Sequence, residues 1–541
     1  MFDLKDSHKK LIKEFPRAVV HMRAQLKMQR FSLVFCAGFG KPFGLPDWKT
    51  LVNAIADDPS VQGKDILARF TARGSLPYKT ELLFQHFRKR QADAAGHDKL
   101  GSCEFENRTW ASFLEICAKR LYANAPTNFD DALSNHGYLL NYLPIIRETP
   151  ITITYNFDDY IEQALLAKKP ADDTSLGYET VTNPWSQFRR QKGVIYHPHG
   201  VLPSQPMEFP KDRLVFSESS YARLYLGALA GDFSFLLNHM SKNTCLIVGS
   251  SLEDEDLRNV LVQGAQSHPG NPHYYVHFLK PGETVAPTDM EAIRRANFHV
   301  YNLITLFLTG EDIAALADLL SPGTLNDDEF PDRLVELDSF AAYRFYLTGA
   351  LGVGKSTTAN QLRNLMVLDE WAEPRLALLA KPWDTLTAGE KDQVDAWIAK
   401  QFRIKNDKLR HEPFGISIID RPPMDPLVFT PPLERPAKAK LLLDAICPGG
   451  KWDIADGVVI FLTGDPIDLA ARVVATGRAG YTADKLQQME KNLKEIYNGE
   501  GVRFIDTRGR TVVEVTKTVS ELIHFEEYKP FGFSNRLKAI K

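Results

Sequence analysis

The sequence predicts an α/β protein in two parts: a Rossmann-like parallel sheet with a helical insertion, followed by a second α/β domain built on a P-loop. Three observations predict this class. Short apolar runs recur that are continuous rather than alternating, the pattern of strands buried on both faces of a parallel sheet. Stretches of helical periodicity separate them, as parallel connections require. Each of the first four runs leads directly into a cluster of Gly, Asn, His or Ser, and ligands of open α/β sheets bind outside the carboxyl ends of the strands.

In the first half the expected strands are Leu33 to Phe35, Ile151 to Thr154, Val194 to Tyr196, Leu246 to Val248 and Tyr274 to Leu279. Residues of about 50–148 carry helical spacing, as in Leu114, Ala118 and Leu121, or Leu139, Leu140 and Leu143, and read as an insertion over the sheet. The chain turns polar from Ser321-Pro322-Gly323 to Asp327-Asp328, which puts a boundary near residue 325 and domains at 1–325 and 326–541. Beyond it, Phe345 to Leu347, Ile416 to Ile419 and Val458 to Leu462 read as strands, and a helix after the first of them presents Ala359, Leu362 and Met366 on one face.

A chain of 541 residues exceeds one compact core, and 44% hydrophobic with 25% charged residues is ordinary for a globular protein. Lys and Arg number 65 against 68 Asp and Glu, so the net charge of −3 offers no footprint for nucleic acid or a membrane surface; small-molecule ligands fit better. Cys36, Cys103, Cys117, Cys245 and Cys447 are odd in number and never form a CxxC pair, which argues against a disulfide framework and against zinc. Residues 1–15 are charged throughout, unlike a signal peptide, and no run approaches the length of a membrane span. A cytoplasmic protein is expected.

Four strand exits carry the chemistry of the first half. Cys36-Ala37-Gly38-Phe39-Gly40, with Gly44-Leu45-Pro46-Asp47-Trp48, is a Gly-rich turn that lets backbone approach a pyrophosphate. The second exit is Thr154-Tyr155-Asn156-Phe157-Asp158 with Glu162 beyond, the third His197-Pro198-His199-Gly200, the fourth Gly249-Ser250-Ser251-Leu252-Glu253-Asp254. A histidine titrates near neutrality and suits a general base, an Asn amide can orient water without adding charge, and a carboxylate can stabilise a developing cation.

Taken in this order, the exits resemble the sirtuin (silent information regulator) superfamily, whose pattern is a GAGxS turn and GxPDF, a TxN(Y/I)D segment, an HG pair and a G(T/Y)SL segment. Leu214 to Tyr221 is similar to the stretch after the HG pair in the NADase branch, and the likeness spans roughly residues 30 to 265. The resemblance implies that Asn156 and Asp158 sit at the reacting ribose of NAD+ and that His199 is the base, with His197 its local rival. It implies contacts to the dinucleotide from Ala37, Gly38, Gly40, Gly44, Asp47, Gly249, Ser250 and Ser251. Cys36 stands where the family has its first Gly, and Gly40 where it has Ser. The four-cysteine zinc module of the deacetylases is missing, so the resemblance is to bacterial NADases of antiphage defence, with water as acceptor.

In the second half Gly349-Ala350-Leu351-Gly352-Val353-Gly354-Lys355-Ser356-Thr357 matches GxxxxGK[ST] between a strand and a helix. Backbone amides of such a loop cradle phosphates, Lys355 reaches the β and γ oxygens, and Ser356 can hold Mg2+ beside Asp420. Asp420-Arg421 after a strand, and a helix with Arg472 and Arg478 before Tyr481, resemble the DR segment and lid of thymidylate kinase-like and deoxynucleoside kinase-like proteins; Glu370 and Glu373 lie where these place an acid facing the acceptor hydroxyl. The expected ligand is ATP or another nucleoside triphosphate with Mg2+.

Together these readings predict an NAD+ glycohydrolase effector of antiphage defence, regulated by nucleotide at the C-terminal domain, answering a phage-derived trigger and assembling as a homo-oligomer. The alternative is an active deoxynucleoside or nucleotide kinase with an NAD- or ADP-ribose-binding sensor domain.

Overall fold

Strand β1 (Phe31–Phe35) stands at the centre of a seven-stranded parallel sheet with β2 (Ile151–Thr154), β3 (Glu179–Val181), β4 (Val194–Tyr196), β5 (Thr244–Val248), β6 (His273–Phe278) and β7 (Leu303–Leu308). The computed structural model describes residues 3–70, 74–95, 102–126, 128–169, 177–182, 188–204, 214–222, 234–381, 385–477 and 480–540. Strand order is β3-β4-β2-β1-β5-β6-β7. From β1 the chain passes to β2, out to the edge at β3 and back to β4, and then crosses to the other side of β1 to wind outward through β5, β6 and β7. The crevice beyond the carboxyl ends of β1 and its neighbours is the switch point at which such sheets bind ligands.

The strands are buried because they are apolar on both faces: every residue of β1, β2, β4, β5 and β7 is buried. One face packs Val34, Ile153, Tyr196 and Ile247 against Leu236, Met240, Leu257 and Leu261 of flanking helices. Between β1 and β2, helices run from Trp48 to Glu148. Three of them, Trp48–Ala56, Leu76–Ala95 and Cys103–Leu121, share a core of Leu51, Ile55, Phe87, Phe113 and Cys117 with Phe157 and Phe216. On the third helix Thr109, Phe113, Cys117 and Leu121 are buried, with Leu114 and Ala118 packed at the margin, so the apolar stripe is rotated from the spacing expected.

A second sheet consists of β8 (Ala342–Thr348), β9 (Met366–Leu368), β10 (Gly415–Asp420), β11 (Val458–Thr463) and β12 (Val502–Asp506), all parallel, in the order β12-β11-β8-β10-β9. Its first strand is again central and flanked by strands reached from opposite directions, so the loop after β8 also lies at a switch point. The helix after that loop is short, Lys355–Gln361, and Met366 stands in β9 rather than on the helix face expected for it. Leu362 caps that helix and only Arg363, Asn364 and Leu365 separate it from the strand, too little chain for another helical turn and a connection. The strand β7 reads as an apolar run in the sequence, LITLFL; β3 and β9 have three residues each and leave almost no pattern.

The chain divides into two compact units, the first comprising Met1–Leu11, Gln25–Gly264 and His273–Leu325, the second Ile12–Ala24, Ala265–Pro272 and Asn326–Lys541. Two short pieces of the first half thus belong to the second unit. In the first piece, Arg23 pairs with Asp327 at 2.9 Å and lies over the Phe330 ring, while His21 meets the His524 ring at 5.5 Å between centroids. The five cysteines are unpaired, and all but Cys103 are buried.

Candidate functional site

The exits of β1 and β5 touch. The Cys36 amide donates to the Val248 carbonyl (3.0 Å) and the Gly38 amide to the Gly249 carbonyl (2.8 Å). A methyl at Gly38 would lie 2.8 Å from the Gly249 oxygen, and Gly249 holds φ +80, so side chains are excluded where the two loops cross. Gly38→Ala is expected to force the crossing apart and lower stability by about 1–3 kcal/mol. Scanning calorimetry measures it, and an unchanged midpoint would show that the crossing yields without cost.

Above this crossing opens a cavity of about 1320 Å³, roomy beside the roughly 300–1,000 Å³ of ordinary ligand sites. Asn156, Asp158 and His199 all line it, from the exits of β2 and β4. So do Ala37, Gly38, Gly40, Asp47, Gly249, Ser250 and Ser251. Gly44 is not among the lining residues; with φ +75 it closes the turn Ala37–Phe43, and an added Cβ would strike the Asn124 carbonyl at 2.5 Å. Asp47 also caps the helix Trp48–Ala56, accepting from the Thr50 amide at 2.9 Å, which by itself explains an acid at that place.

Between Asn156 and Asp158 the Phe157 ring packs edge-on against Phe216 at 5.1 Å and Trp48 at 6.2 Å. Its burial, about 1.5–3 kcal/mol for a side chain of this size, fastens the loop to the helical layer. The Asn156 side-chain oxygen is buried without a hydrogen-bond partner among the described residues, an arrangement that costs energy in a purely structural residue. Burial pushes the Asp158 carboxyl up to about 7, opposed by the hydrogen bond it accepts from the Tyr160 amide. A Cβ at Gly40 would sit 3.6 Å from Asp158 Oδ2, so the turn after β1 comes close to that carboxyl.

The two histidines of the third exit part ways. His197 is wholly buried, with Nδ1 at 3.2 Å from the Asn156 carbonyl and Nε2 at 2.8 Å from Glu162, which also accepts from Thr180. Both of its partners are acceptors, so the protonated imidazolium suits them; burial lowers its pKa, but the Glu162 charge outweighs this and raises it. With both nitrogens engaged, His197 is a brace. His199 places Nε2 at 3.1 Å from Asp256 Oδ2 and lies edge-on to Tyr155 and Tyr221, at 5.2 and 5.6 Å between centroids. Burial lowers its pKa, and the hydrogen bond to Asp256 with the charges of Asp254 and Asp256 more than restores it, leaving it above the ordinary value.

Asp256 escaped the sequence reading because an acid in the first turn of a helix, here Glu255–Ser267, is the usual complement of the helix dipole. Only the fold aims it at the third exit. One ligand-type atom from each of His199, Asp254 and Asp256 falls within 4.8 Å of the others.

In the second unit the loop 349–354 joins β8 to the helix Lys355–Gln361, with Gly349, Gly352 and Gly354 all at positive φ. A Cβ at Gly349 would overlap the Leu462 carbonyl of β11, and one at Gly352 would approach the Leu469 carbonyl to 2.9 Å. Lys355 is buried and donates to the carbonyls of Gly349 (2.8 Å) and Ala350 (3.0 Å); burial, then the neighbouring Arg421 charge, lower it to about 8. Ser356 donates to Asp420 Oδ2 at 2.7 Å, and the other oxygen of that buried carboxylate has no hydrogen-bond partner among the described residues. Thr357 is exposed.

Arg421 holds φ +70, a strained conformation for a side-chain-bearing residue costing roughly 1–3 kcal/mol. Its guanidinium meets Glu370 at 2.6 Å and Asp425 at 3.3 Å, and Asp425 also accepts from Thr348 and Tyr497. Lys405, on the helix Ala388–His411, donates to the Asp420 carbonyl at 2.7 Å and is lowered by burial to about 8. Lys405 was not anticipated, being isolated in sequence and meeting Asp420 only through the fold; Asp425 stands four residues after Arg421, and no role was read for it from the sequence. Glu373 departs from expectation, its carboxylate turned to Lys400 and Gln401 near the surface, so Glu370 alone of that pair faces the buried cluster. Arg472 is an exposed residue of the helix Pro466–Ala475, its Cβ 3.7 Å from a Cβ built at Gly352. Arg478 lies outside the described residues.

A comparison with curated proteins found no match. A family model described as a SIR2-like domain matches residues 150–302, which run from β2 through β6 and contain Asn156, Asp158, His197, His199, Gly249 and Asp256. The Gly38 turn after β1 lies outside the matched stretch, yet it forms the other wall of the crossing at Gly249. Residues 150–302 of this α/β chain are therefore a SIR2-like domain.

Proposed function

We propose that the protein is an NAD+ glycohydrolase of antiphage defence, which releases nicotinamide and ADP-ribose and is regulated by nucleotide bound in residues 326–541. One observation carries the enzymatic reading: an amide at 156, a carboxyl at 158 and an imidazole at 199 line one large cavity over two crossed glycine loops. Dinucleotide phosphates would lie along that crossing, where backbone can come close. In the reaction the bond from ribose C1′ to the pyridinium nitrogen breaks and its electron pair leaves with neutral nicotinamide. Asn156 orients the attacking water, the ionised Asp158 stabilises the cationic ribose, and His199 takes the proton as the new C1′–O bond forms. Ser250, Ser251 and Asp47 are the remaining polar candidates for dinucleotide contacts.

Nucleotide regulation is supported by the second unit. Its loop, Lys355 and Arg421 suit the phosphates of ATP or another nucleoside triphosphate, and Ser356 with the half-satisfied Asp420 suits Mg2+, which would neutralise phosphate charge there. The segment Ala265–Pro272, continuous with the helix that bears Asp256, belongs to this unit and packs Gly270 against the carbonyl of Gln361, where the helix begun by Lys355 ends. The expected result is that Lys355→Ala changes the rate of NAD loss by purified full-length protein in the presence of ATP or deoxynucleotides. Nicotinamide release indifferent to both the substitution and every nucleotide would remove the regulatory half of the proposal.

A second reading, an active nucleoside or nucleotide kinase with a dinucleotide-binding sensor, draws on the Ser356–Asp420 hydrogen bond and the strained Arg421. Transfer of labelled phosphate from ATP to a panel of deoxynucleosides, with no nicotinamide released, would favour it.

A further inference from the structure

The carboxylate of Asp256 is 1% exposed, and a buried carboxylate is costly unless it is hydrogen-bonded. Its Oδ2 meets His199 Nε2 at 3.1 Å, and its Oδ1 has no partner among the described residues. Asp254 fixes the approach of the helix, accepting from the Leu257 amide at 2.9 Å. An ionised carboxylate only accepts, so Nε2 must be the nitrogen that bears hydrogen. The lone pair of a neutral imidazole then resides on Nδ1, which makes no hydrogen bond to any described residue, on a ring that lines the cavity.

We infer that Asp256 is the positioning residue of His199, holding the neutral ring in the Nε2–H tautomer so that Nδ1 faces the substrate as the base. The inference rests on the NADase reading for its chemistry, though its geometry stands apart from it. When Nδ1 accepts the proton of the attacking water, Asp256 remains ionised and stabilises the imidazolium; no second proton moves. The groups facing the ring are Asp254 from the loop after β5, Asp256 from the helix that follows, Tyr155 and Phe157 from the loop after β2, and Tyr221.

The test uses full-length protein with 13C-labelled histidine, the His199 signal being identified by its loss in His199→Ala. In wild type His199 should show the Nε2–H tautomer and titrate above the usual value of about 6.5. In Asp256→Asn its midpoint should fall and the tautomers should mix, while Asp256→Glu should retain part of the wild-type signature. In NAD+ turnover Asp256→Asn should reduce kcat roughly ten- to a hundredfold with KM little changed, and move the acid limb of the pH profile to lower pH. An unaltered tautomer and midpoint in Asp256→Asn would overturn the inference. So would activity that chelation abolishes and a divalent ion restores, because His199, Asp254 and Asp256 would then be metal ligands. If wild type releases no nicotinamide while the tautomer signature holds, the NADase reading fails and the pair survives. Should Asp256→Asn fail to fold, the wild-type spectrum decides: a neutral His199 ring that carries its proton on Nδ1 would refute a positioning role.

Discussion

His199→Ala is expected to lower nicotinamide release by roughly a hundred- to ten-thousandfold, the range typical of removing a general base. The fold should tolerate it. The ring packs between Tyr155 and Tyr221 at a cavity wall, so its loss opens space onto existing space from which water can reach Asp256 in place of the imidazole. His197→Ala is the informative contrast. That residue bridges the Asn156 carbonyl and Glu162 in the interior, and its removal leaves a buried carboxylate with Thr180 as its remaining partner. It should unfold more easily as well as lose activity. Equal melting temperatures for wild type and His199→Ala, with turnover lost in the latter, are the expected pair of results; full turnover by His199→Ala would end the enzymatic proposal.

Asp158→Asn should trade activity for stability, in a manner that depends on pH. The Asp158 carboxyl titrates at about 7 when folded, against 3.8 for the free group, because burial penalises its charge. Its folded pKa is the higher one, so the stabilisation of the protonated form is complete below about pH 4 and is lost as pH rises through 7. Asparagine keeps an acceptor for the Tyr160 amide and never ionises. The variant should therefore match wild type near pH 4 and exceed it by about 1–3 kcal/mol at pH 8, a fraction of 1.4 kcal/mol per pKa unit after relaxation. Denaturant titrations at the two pH values measure the difference. A variant less stable than wild type at pH 8 would mean that the ionised carboxylate is satisfied in place. Turnover should fall in the variant at every pH where wild type is active, since an amide cannot stabilise a cationic ribose as a carboxylate can.

Much of the α/β architecture was legible because parallel strands buried on both faces leave continuous apolar runs, and Phe31–Phe35, Thr244–Val248 and Val458–Thr463 are such runs. The three-residue strands at Glu179 and Met366 were not, since three residues fix no period, and the helix expected to reach Met366 stops at Gln361. Residues lining the cavity were legible where they cluster at a strand exit, as Asn156 and Asp158 do. Asp256 and Lys405 were not, each being one charged residue among several on a helix whose facing neighbour comes from a distant strand exit.

By itself the sequence determined which segments become buried parallel strands and which loops are rich in glycine, amide and imidazole, because both follow from local composition. Tertiary structure decided which histidine is a brace and which faces the cavity, since His197 and His199 are two residues apart and chemically identical. It also decided that Ile12–Ala24 belongs with the second unit, because an apolar helix face declares that it must be covered and not by what. Burial and pairing are properties of the surroundings a chain folds into, and for these residues the surroundings come from parts of the chain far away in sequence.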